Sequence, residues 1–446
     1  MTKRPELDPR VPAIARAVAD AGGRALVVGG TVRDRVLGRR AGRDVDVEVL
    51  GLAPDAVEAL LGRFGPVSRF GRSYTVLHVR GLDVEITVDE TAPDDFAQAS
   101  RRRDLTMNSM AMDPLTGAIL DPHGGREDIA ARRMRATDPE RFGDDPLRAV
   151  RVARFAACLE MEPDAALVAL CARQDLRDVA GERILEELRR MLLEAARPAR
   201  GLATLERCAL LGALPELDAL RGVAQDPEWH PEGDVWTHTM LVVDVAADLR
   251  AGDAADFALM LGALCHDLGK PATTTVERGR IRSLGHDRAG VAPTRALLGR
   301  LRASTALVQA VCALVEHHLA PALFVQGEAG PRGYRRLARK LDAAGVSMEL
   351  LERVARADHL GRTTPDARAG VFPAGDAFLA RAEALAVRHE GPADVVHGRH
   401  VIARGVAPGP AVGRILEACR AVQDETGETD PARILDRVLA AAADPA

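Results

Sequence analysis

The chain is 446 residues long, about three domains' worth at roughly 150 residues each, and 47% of it is apolar, so a sizeable core can form. A formal charge of −5 excludes a polycation that coats nucleic acid, and 3% aromatics exclude recognition by rows of stacked bases. Six scattered Cys without a C-x-x-C pair exclude a disulfide framework and a Cys zinc site. The polar, proline-bearing start is no signal peptide, and no apolar run reaches the ~18 residues of a membrane span, so a soluble, cytoplasmic protein is expected. Of the 60 basic residues 57 are Arg, leaving Lys3, Lys270 and Lys340. A GC-rich genome explains most of this bias, yet each guanidinium suits a bidentate phosphate or carboxylate contact.

In chain order, Ala25 to Val28 is a short apolar strand ending in Gly29-Gly30, and a short helix follows through Leu37. Val45 to Leu50 alternates as a strand, and Pro54 to Leu61 has helical spacing. Thr75 to Val79 and Val84 to Val88 are strands separated by a turn at Gly81. From Asp144 onward strand signals nearly vanish. Glu182 to Leu193 places Ile184, Leu185, Leu188, Met191 and Leu192 on one helical face. Asp256 to Leu268 is an apolar helix stopped by Gly269 and Pro271. From about 366 the tail is Ala-rich and helical, broken by Ala407-Pro408-Gly409-Pro410.

The stretch Leu26 to Val49 carries chemistry. Gly29 and Gly30 let backbone N–H groups approach a phosphate at a helix start. Arg33 and Asp34 follow one turn later. Asp44 and Asp46 flank Val45 on a strand, so both carboxylates point the same way. Two such carboxylates repel unless a cation joins them, and two-metal phosphoryl chemistry needs such a pair. A lone D-x-D usually marks a solvated strand face; the upstream glycines favour the metal reading.

These residues resemble the class II tRNA nucleotidyltransferase and bacterial poly(A) polymerase family, whose head carries Gly-Gly, Arg-Asp and D-x-D. Its second signature is R-R-D and T-x-N-x-x-A, here Arg102-Arg103-Asp104 and Thr106 to Ala111, including Asn108. The resemblance implies that Asp44 and Asp46 are catalytic and hold Mg²⁺. It also implies that Gly29, Gly30, Arg33, Arg102, Arg103, Asp104 and Asn108 contact the nucleotide. Asp121 to Gly125 with Asp128 resembles the family's hinge, and Glu182-Arg183-Ile184 its neck helix. Asp144-Asp145-Pro146-Leu147-Arg148 resembles the nucleotide-selecting motif, with Asp144 where Glu is usual. Asp145 and Arg148 would then read the base edge of CTP or ATP. Arg151 and Arg154 continue along the same helix face toward nucleotide or RNA phosphates. Glu85 or Asp83 is a candidate third carboxylate.

One departure bears on the product. CCA-adding relatives carry a long flexible segment before R-R-D, preceded by an Arg. Here eleven residues, Thr91 to Arg101, separate Glu90 from Arg102, and the strand ends Val88-Asp89-Glu90. Family members that add only the two C residues resemble this state, so weak or absent ATP incorporation is expected, with another enzyme supplying the final A.

Seven of the twelve His lie between His230 and His359. His238, then His266-Asp267 at the end of an apolar helix, then Asp358 resemble the H…HD…D ligand pattern of the HD phosphohydrolase superfamily. His286, His317 and His318 would bind a second metal or a phosphate. A His/Asp set suits a divalent transition metal or Mg²⁺, whose bound water attacks a phosphoester.

The expected fold class is α+β: an α/β nucleotidyltransferase head with a small mixed sheet, residues 1–140. An all-α neck for nucleotide selection and RNA contact (141–225), an HD domain (226–365) and a helical tail (366–446) follow. The expected function is template-free addition of C and/or A residues to the tRNA 3′ CCA end from CTP and ATP, with an HD phosphohydrolase activity. Neither DNA nor a membrane is an expected partner. Two alternatives are a poly(A) polymerase, against which the absence of a basic tail counts, and an HD phosphodiesterase or phosphatase with a vestigial head, against which Asp44 and Asp46 count.

Overall fold

A computed structural model describes residues 8–39, 45–70, 75–82, 84–88 and 95–443. Asp44, Asp83 and the stretch 89–94 lie outside the described residues. The chain divides into two units. One comprises Met1–Val179 with Ala203–Leu210, the other Ala180–Leu202 with Leu211–Ala446.

The first unit is built on a seven-stranded sheet. Its strands are β1 (Arg24–Val28), β2 (Val45–Leu50), β3 (Val67–Phe70), β4 (Thr75–Val79), β5 (Val84–Val88), β6 (Ala111–Met112) and β7 (Ile119–Leu120), in the order β3-β4-β5-β2-β1-β6-β7. Only β2 and β5 pair in parallel; the other neighbours are antiparallel. The sheet is therefore mixed. In β2, Val45 and Val47 are buried and Asp46 is exposed, as the period of two requires. The helix Arg10–Asp20 covers one face with Val11, Ile14, Ala15 and Val18, spaced i, i+3, i+4, i+7. Leu26, Val28, Leu50, Phe96, Ala99 and Ala111 form a second apolar cluster around β1. The helix Leu147–Leu159 carries the 148–154 arginines within this same unit.

The second unit is mainly helical. The helices Val235–Asp248, Asp256–Cys265, Thr305–His317 and Met348–Leu360 pack on one another. The helix Gly181–Glu194 buries Ile184, Leu188, Met191 and Leu192 as expected, with Glu187 buried beside them. Around Val396, Val401, Cys419, Ile434, Leu435 and Val438 the tail helices form a satellite core.

Two expectations change. The body is not free of strands: Thr275–Glu277 and Arg280–Arg282 form an antiparallel hairpin. Its two-residue turn has Arg278 at φ 52° and Gly279 at φ 78°, the primed geometry that matches strand twist. Arg133–Met134 and Glu162–Pro163 add a short parallel pair in the first unit. The stretch Thr305–Gln326 also reaches membrane-spanning length, with a mean hydropathy of 1.4. It is apolar on average rather than as a continuous run, and Val311, Leu314 and Val315 on it are core residues.

Candidate active sites in the two units

In the first unit, β1 ends at Gly29, whose φ is 70°. A Cβ there would lie 3.1 Å from Asp46 Oδ2 and 3.5 Å from an Arg103 terminal nitrogen, so the bare glycine backbone is what lets this turn close over the carboxylate. Antiparallel register sets Val28 opposite Asp46, and parallel register sets Asp46 beside Glu85. Two exposed carboxylates thus sit on neighbouring strands at the end of the Gly-Gly strand. Asp44 lies outside the described residues. Asp46 and Glu85 together offer the acidic pair on which a divalent cation could sit.

The R-R-D segment is held by a residue that motif reading missed. Glu48, two positions past Asp46 and fully buried, accepts one hydrogen bond from Arg102 and one from Arg103, both at 2.8 Å. Arg33 is aligned by Asp34 at 2.7 Å and donates to Asn108 Oδ1 at 3.0 Å. Asn108 in turn donates to Asp104, which also accepts from Arg151 at 2.8 Å. Burial alone would raise the Asp104 carboxyl; the Arg151 charge and the Asn108 hydrogen bond outweigh it and hold the group below its ordinary value.

Arg148 donates to the carbonyls of Arg141 (2.6 Å) and Arg102 (2.5 Å), so its guanidinium is fixed against the R-R-D turn. Asp145 accepts from Leu147 N, at the start of the same helix, at 3.1 Å. Arg154 differs from its expected role. It is 4% exposed and lies over the Phe155 ring at 4.1 Å, facing protein rather than phosphate in this conformation. Asp128 of the expected hinge is fully buried, accepting from Thr106, Arg133 and Arg135.

In the second unit the apolar helix Asp256–Cys265 delivers His266 and Asp267 into the core. Gly269 makes the next turn possible, since a Cβ there would meet His286 O at 2.0 Å. His238 Nε2 lies 3.1 Å from Asp358 Oδ1, and His266 Nε2 lies 3.2 Å from Asp267 and 3.8 Å from Asp358. His266, His286 and His318 each bring Nδ1 to a backbone carbonyl, of Ala263, Ser283 and Val315, at 2.7–2.8 Å. A carbonyl only accepts, so Nδ1 carries the proton and Nε2 is the free lone pair in each neutral ring. His286 Nε2 and His318 Nε2 face each other at 3.2 Å, and His286 Nε2 is 3.4 Å from Asp267 Oδ1.

Lone pairs so close repel unless a cation lies between them. The buried His266 Nε2 and Asp267 Oδ1 also lack hydrogen-bond partners, while Asp267 Oδ2 pairs with the Lys270 ammonium. Such a donor set could hold metal ions: His238, His266 and Asp267 converge in one group and Asp267, His286 and His318 in another, and Asp358 Oδ1 lies against His238 and His266. His317 is not in either group. Burial pushes His318 down to about 4, which keeps its ring neutral for ligation.

The Poly A polymerase head domain family matches residues 83–135, the family of probable RNA and SrmB-binding sites of polymerase A matches 159–220, and the HD domain family matches 235–355. A Multifunctional CCA protein of Halorhodospira halophila is 35% identical over 431 residues, 89% of this chain and 95% of that one. One from Cupriavidus metallidurans is 38% identical over 302 residues, 62% of this chain and 70% of that one. This chain belongs to the CCA-adding enzyme and poly(A) polymerase family, in its HD-bearing branch. It is a nucleotidyltransferase. The fold agrees: the Bacillus stearothermophilus CCA-adding enzyme in complex with CTP superposes with a TM-score of 0.67 at 24% identity, over 98% of both chains.

For this family member, sequence reasoning missed three further residues. Glu232, 1% exposed in its side chain, lies 2.9 Å from His230 Nδ1 and 2.8 Å from His238 Nδ1 and accepts from Thr363 N at 3.1 Å. It thereby orients His238 toward the cluster. Burial would raise the Glu232 carboxyl, but these donors hold it well below the carboxylate range. Lys270 places Nζ 2.7 Å from Asp267 and donates to Gln225 at 2.7 Å. Arg362 lies 3.6 Å from Asp358. The His230-Pro231-Glu232 spacing before His238 was the available signal for Glu232.

Proposed function

We propose that this chain adds nucleotides to the 3′ CCA end of tRNA from CTP and ATP without a nucleic-acid template. The observation that carries the reading is the juxtaposition of Asp46 and Glu85, in register at the Gly29 turn, with arginines of R-R-D anchored beside them. Asp44, Asp46 and Glu85 would hold Mg²⁺, which supplies activation of the primer hydroxyl and neutralises the leaving pyrophosphate. Gly29 and Gly30 give backbone access to the phosphates. Arg102 and Arg103 keep their guanidiniums rigid through Glu48 and present charge to the triphosphate. Arg33 and Asn108 are locked to each other near the same turn. Asp145 and Arg148 read the base: the Arg148 terminal nitrogens each keep a second N–H beyond their carbonyl contacts. The relatives' name, Multifunctional CCA protein, supports full CCA addition.

A second reading, addition of the two C residues alone, is favoured by one observation. Of the eleven residues before R-R-D, Phe96–Ser100 form a helix capped by Asp95, with Phe96 and Ala99 buried, which leaves little length for a loop that remodels the pocket for ATP. Incubating tRNA that ends before CCA with CTP, ATP and both decides by product length. We also infer that the His/Asp cluster of the second unit is a metal-dependent phosphohydrolase site, with a divalent transition metal or Mg²⁺. Phosphate release from p-nitrophenyl phosphate, lost with EDTA and in His266→Ala, supports it; release unchanged by both refutes it.

A further inference from the structure

The ring of Phe155 sits where two helices of the first unit bring their arginines together. On the helix Leu147–Leu159, Arg148, Arg151 and Phe155 fall at i, i+3 and i+7, on one face. The helix Gly30–Val36, which opens at the Gly-Gly turn, contributes Arg33. Phe155 is 2% exposed, and the Arg33 and Arg151 guanidinium carbons lie 5.2 and 5.4 Å from its ring centroid, within the reach of about 6 Å of a cation–π contact. Arg154, at 4.1 Å and itself buried, belongs to the packing around the ring. The contacts close a circuit. Arg33 donates to Asn108 at 3.0 Å, Asn108 to Asp104 at 2.9 Å and Arg151 to Asp104 at 2.8 Å, and Phe155 joins the two arginines from the other side.

Hydrogen bonds hold a guanidinium by its edge, whereas an aromatic ring restrains the tilt of its plane. A carboxylate at position 155 would also hold both arginines, but it would cancel charge that a triphosphate needs. A ring attracts cations through its quadrupole and carries no net charge. The Arg33 and Arg151 side chains stay 12% and 33% exposed, so both are restrained at the ring and still reach the solvent side. We propose that Phe155 is a positioning residue for nucleotide addition, fixing the spacing of the Arg33 and Arg151 guanidiniums that receive the nucleotide's phosphates. The proposal rests on the nucleotide-addition reading above. Buried as it is, the ring acts through the two arginines and not on the nucleotide itself.

The test uses the full chain with Mg²⁺, CTP and a tRNA transcript ending before CCA. Two replacements separate ring electronics from ring volume. Phe155→Leu keeps an apolar side chain without a quadrupole, and pentafluorophenylalanine introduced at position 155 keeps the ring shape and inverts the quadrupole. Both should raise KM for CTP about tenfold, the scale of two partly exposed cation–π contacts, with kcat changed far less. A monofluorinated ring falls between. Combined with Arg33→Gln or Arg151→Gln, the fluorinated ring adds less than its single effect, because it acts through those side chains. Wild-type KM with the fluorinated ring, or a fluorine effect fully additive with both arginine replacements, makes Phe155 a packing residue and overturns the proposal. If the wild-type chain extends no tRNA, the nucleotide-addition reading fails. Calorimetric titration of CTP into the wild-type and fluorinated chains then decides the role of Phe155: about tenfold weaker binding supports it, and equal binding overturns it.

Discussion

Glu48→Gln removes a carboxylate that is fully buried and accepts from two guanidiniums at 2.8 Å each. Arg102 and Arg103 are 14% and 19% exposed in their side chains, so water reaches them only in part. Breaking a buried pair from one side costs about 3–5 kcal/mol, because the remaining charge is left without a partner. Partial exposure of both arginines and the carbonyl oxygen that Gln retains lower this to about 2–3 kcal/mol. For a unit of this size that is a drop of about 4–12 °C in its melting transition, at about 2–4 °C per kcal/mol. Scanning calorimetry of the full chain reads the shift, with Glu127→Gln, 79% exposed in its side chain, as a control expected within about 0.5 kcal/mol of wild type. The two arginines also lose their fixed direction, so KM for CTP in tRNA extension rises about tenfold or more. A melting shift equal to that of the control, together with an unchanged KM, refutes the claim that Glu48 holds the R-R-D turn.

Arg148→Lys cannot span the carbonyls of Arg141 and Arg102 with a planar fork, and it should raise KM for CTP and ATP together and increase misincorporation of UTP and GTP, read on sequencing gels. Asp128 is buried, and although burial alone would raise its carboxyl, hydrogen bonds from Arg135, Thr106 and Arg133 hold it below its ordinary value. Its contribution is therefore present above the unfolded carboxylate pKa of about 3.9 and is lost as pH falls through the lower folded value. Asp128→Asn should be less stable by about 2 kcal/mol near pH 7, with the gap closing in acid; a gap that widens in acid contradicts the assignment. Glu232→Gln should weaken metal binding about 10–100-fold by calorimetric titration while leaving tRNA extension unchanged, because the partners of Glu232, His230, His238 and Thr363, all belong to the second unit.

How much of this was legible depended on the distance between partners. The strands β2 and β5 announce themselves by alternating Val and Ile, and the structure places them at the residues the alternation marks; β4 shows as a short apolar run before the Gly81 turn. The two-residue strands β6 and β7 carry no period, and the hairpin at Thr275–Arg282 hid in an Arg-rich run whose only mark is a turn at Arg278-Gly279. Motif spacing reached His238, His266, Asp267 and Asp358 but not Glu232, whose work is done through His230, His238 and Thr363. Glu48 is the same case: its partners lie 54 and 55 residues away. Composition cannot separate a working guanidinium from a packed one, so Arg154 looked like its neighbours until its burial against Phe155 was seen. His317 and His318 are adjacent in sequence, but one helical step of about 100° puts only His318 among the metal-ligand groups.

The central claim is nucleotide addition at the first unit, centred on Asp46. Purified chain is incubated with a tRNA transcript ending before CCA, with Mg²⁺ and CTP, ATP or both, alongside Asp46→Ala. Two added residues with CTP alone, no addition with ATP alone, and three with both, all abolished in Asp46→Ala, is the predicted result; a stop at two with both nucleotides selects the CC-only form. Long A tails, or no extension under any condition, would contradict the account.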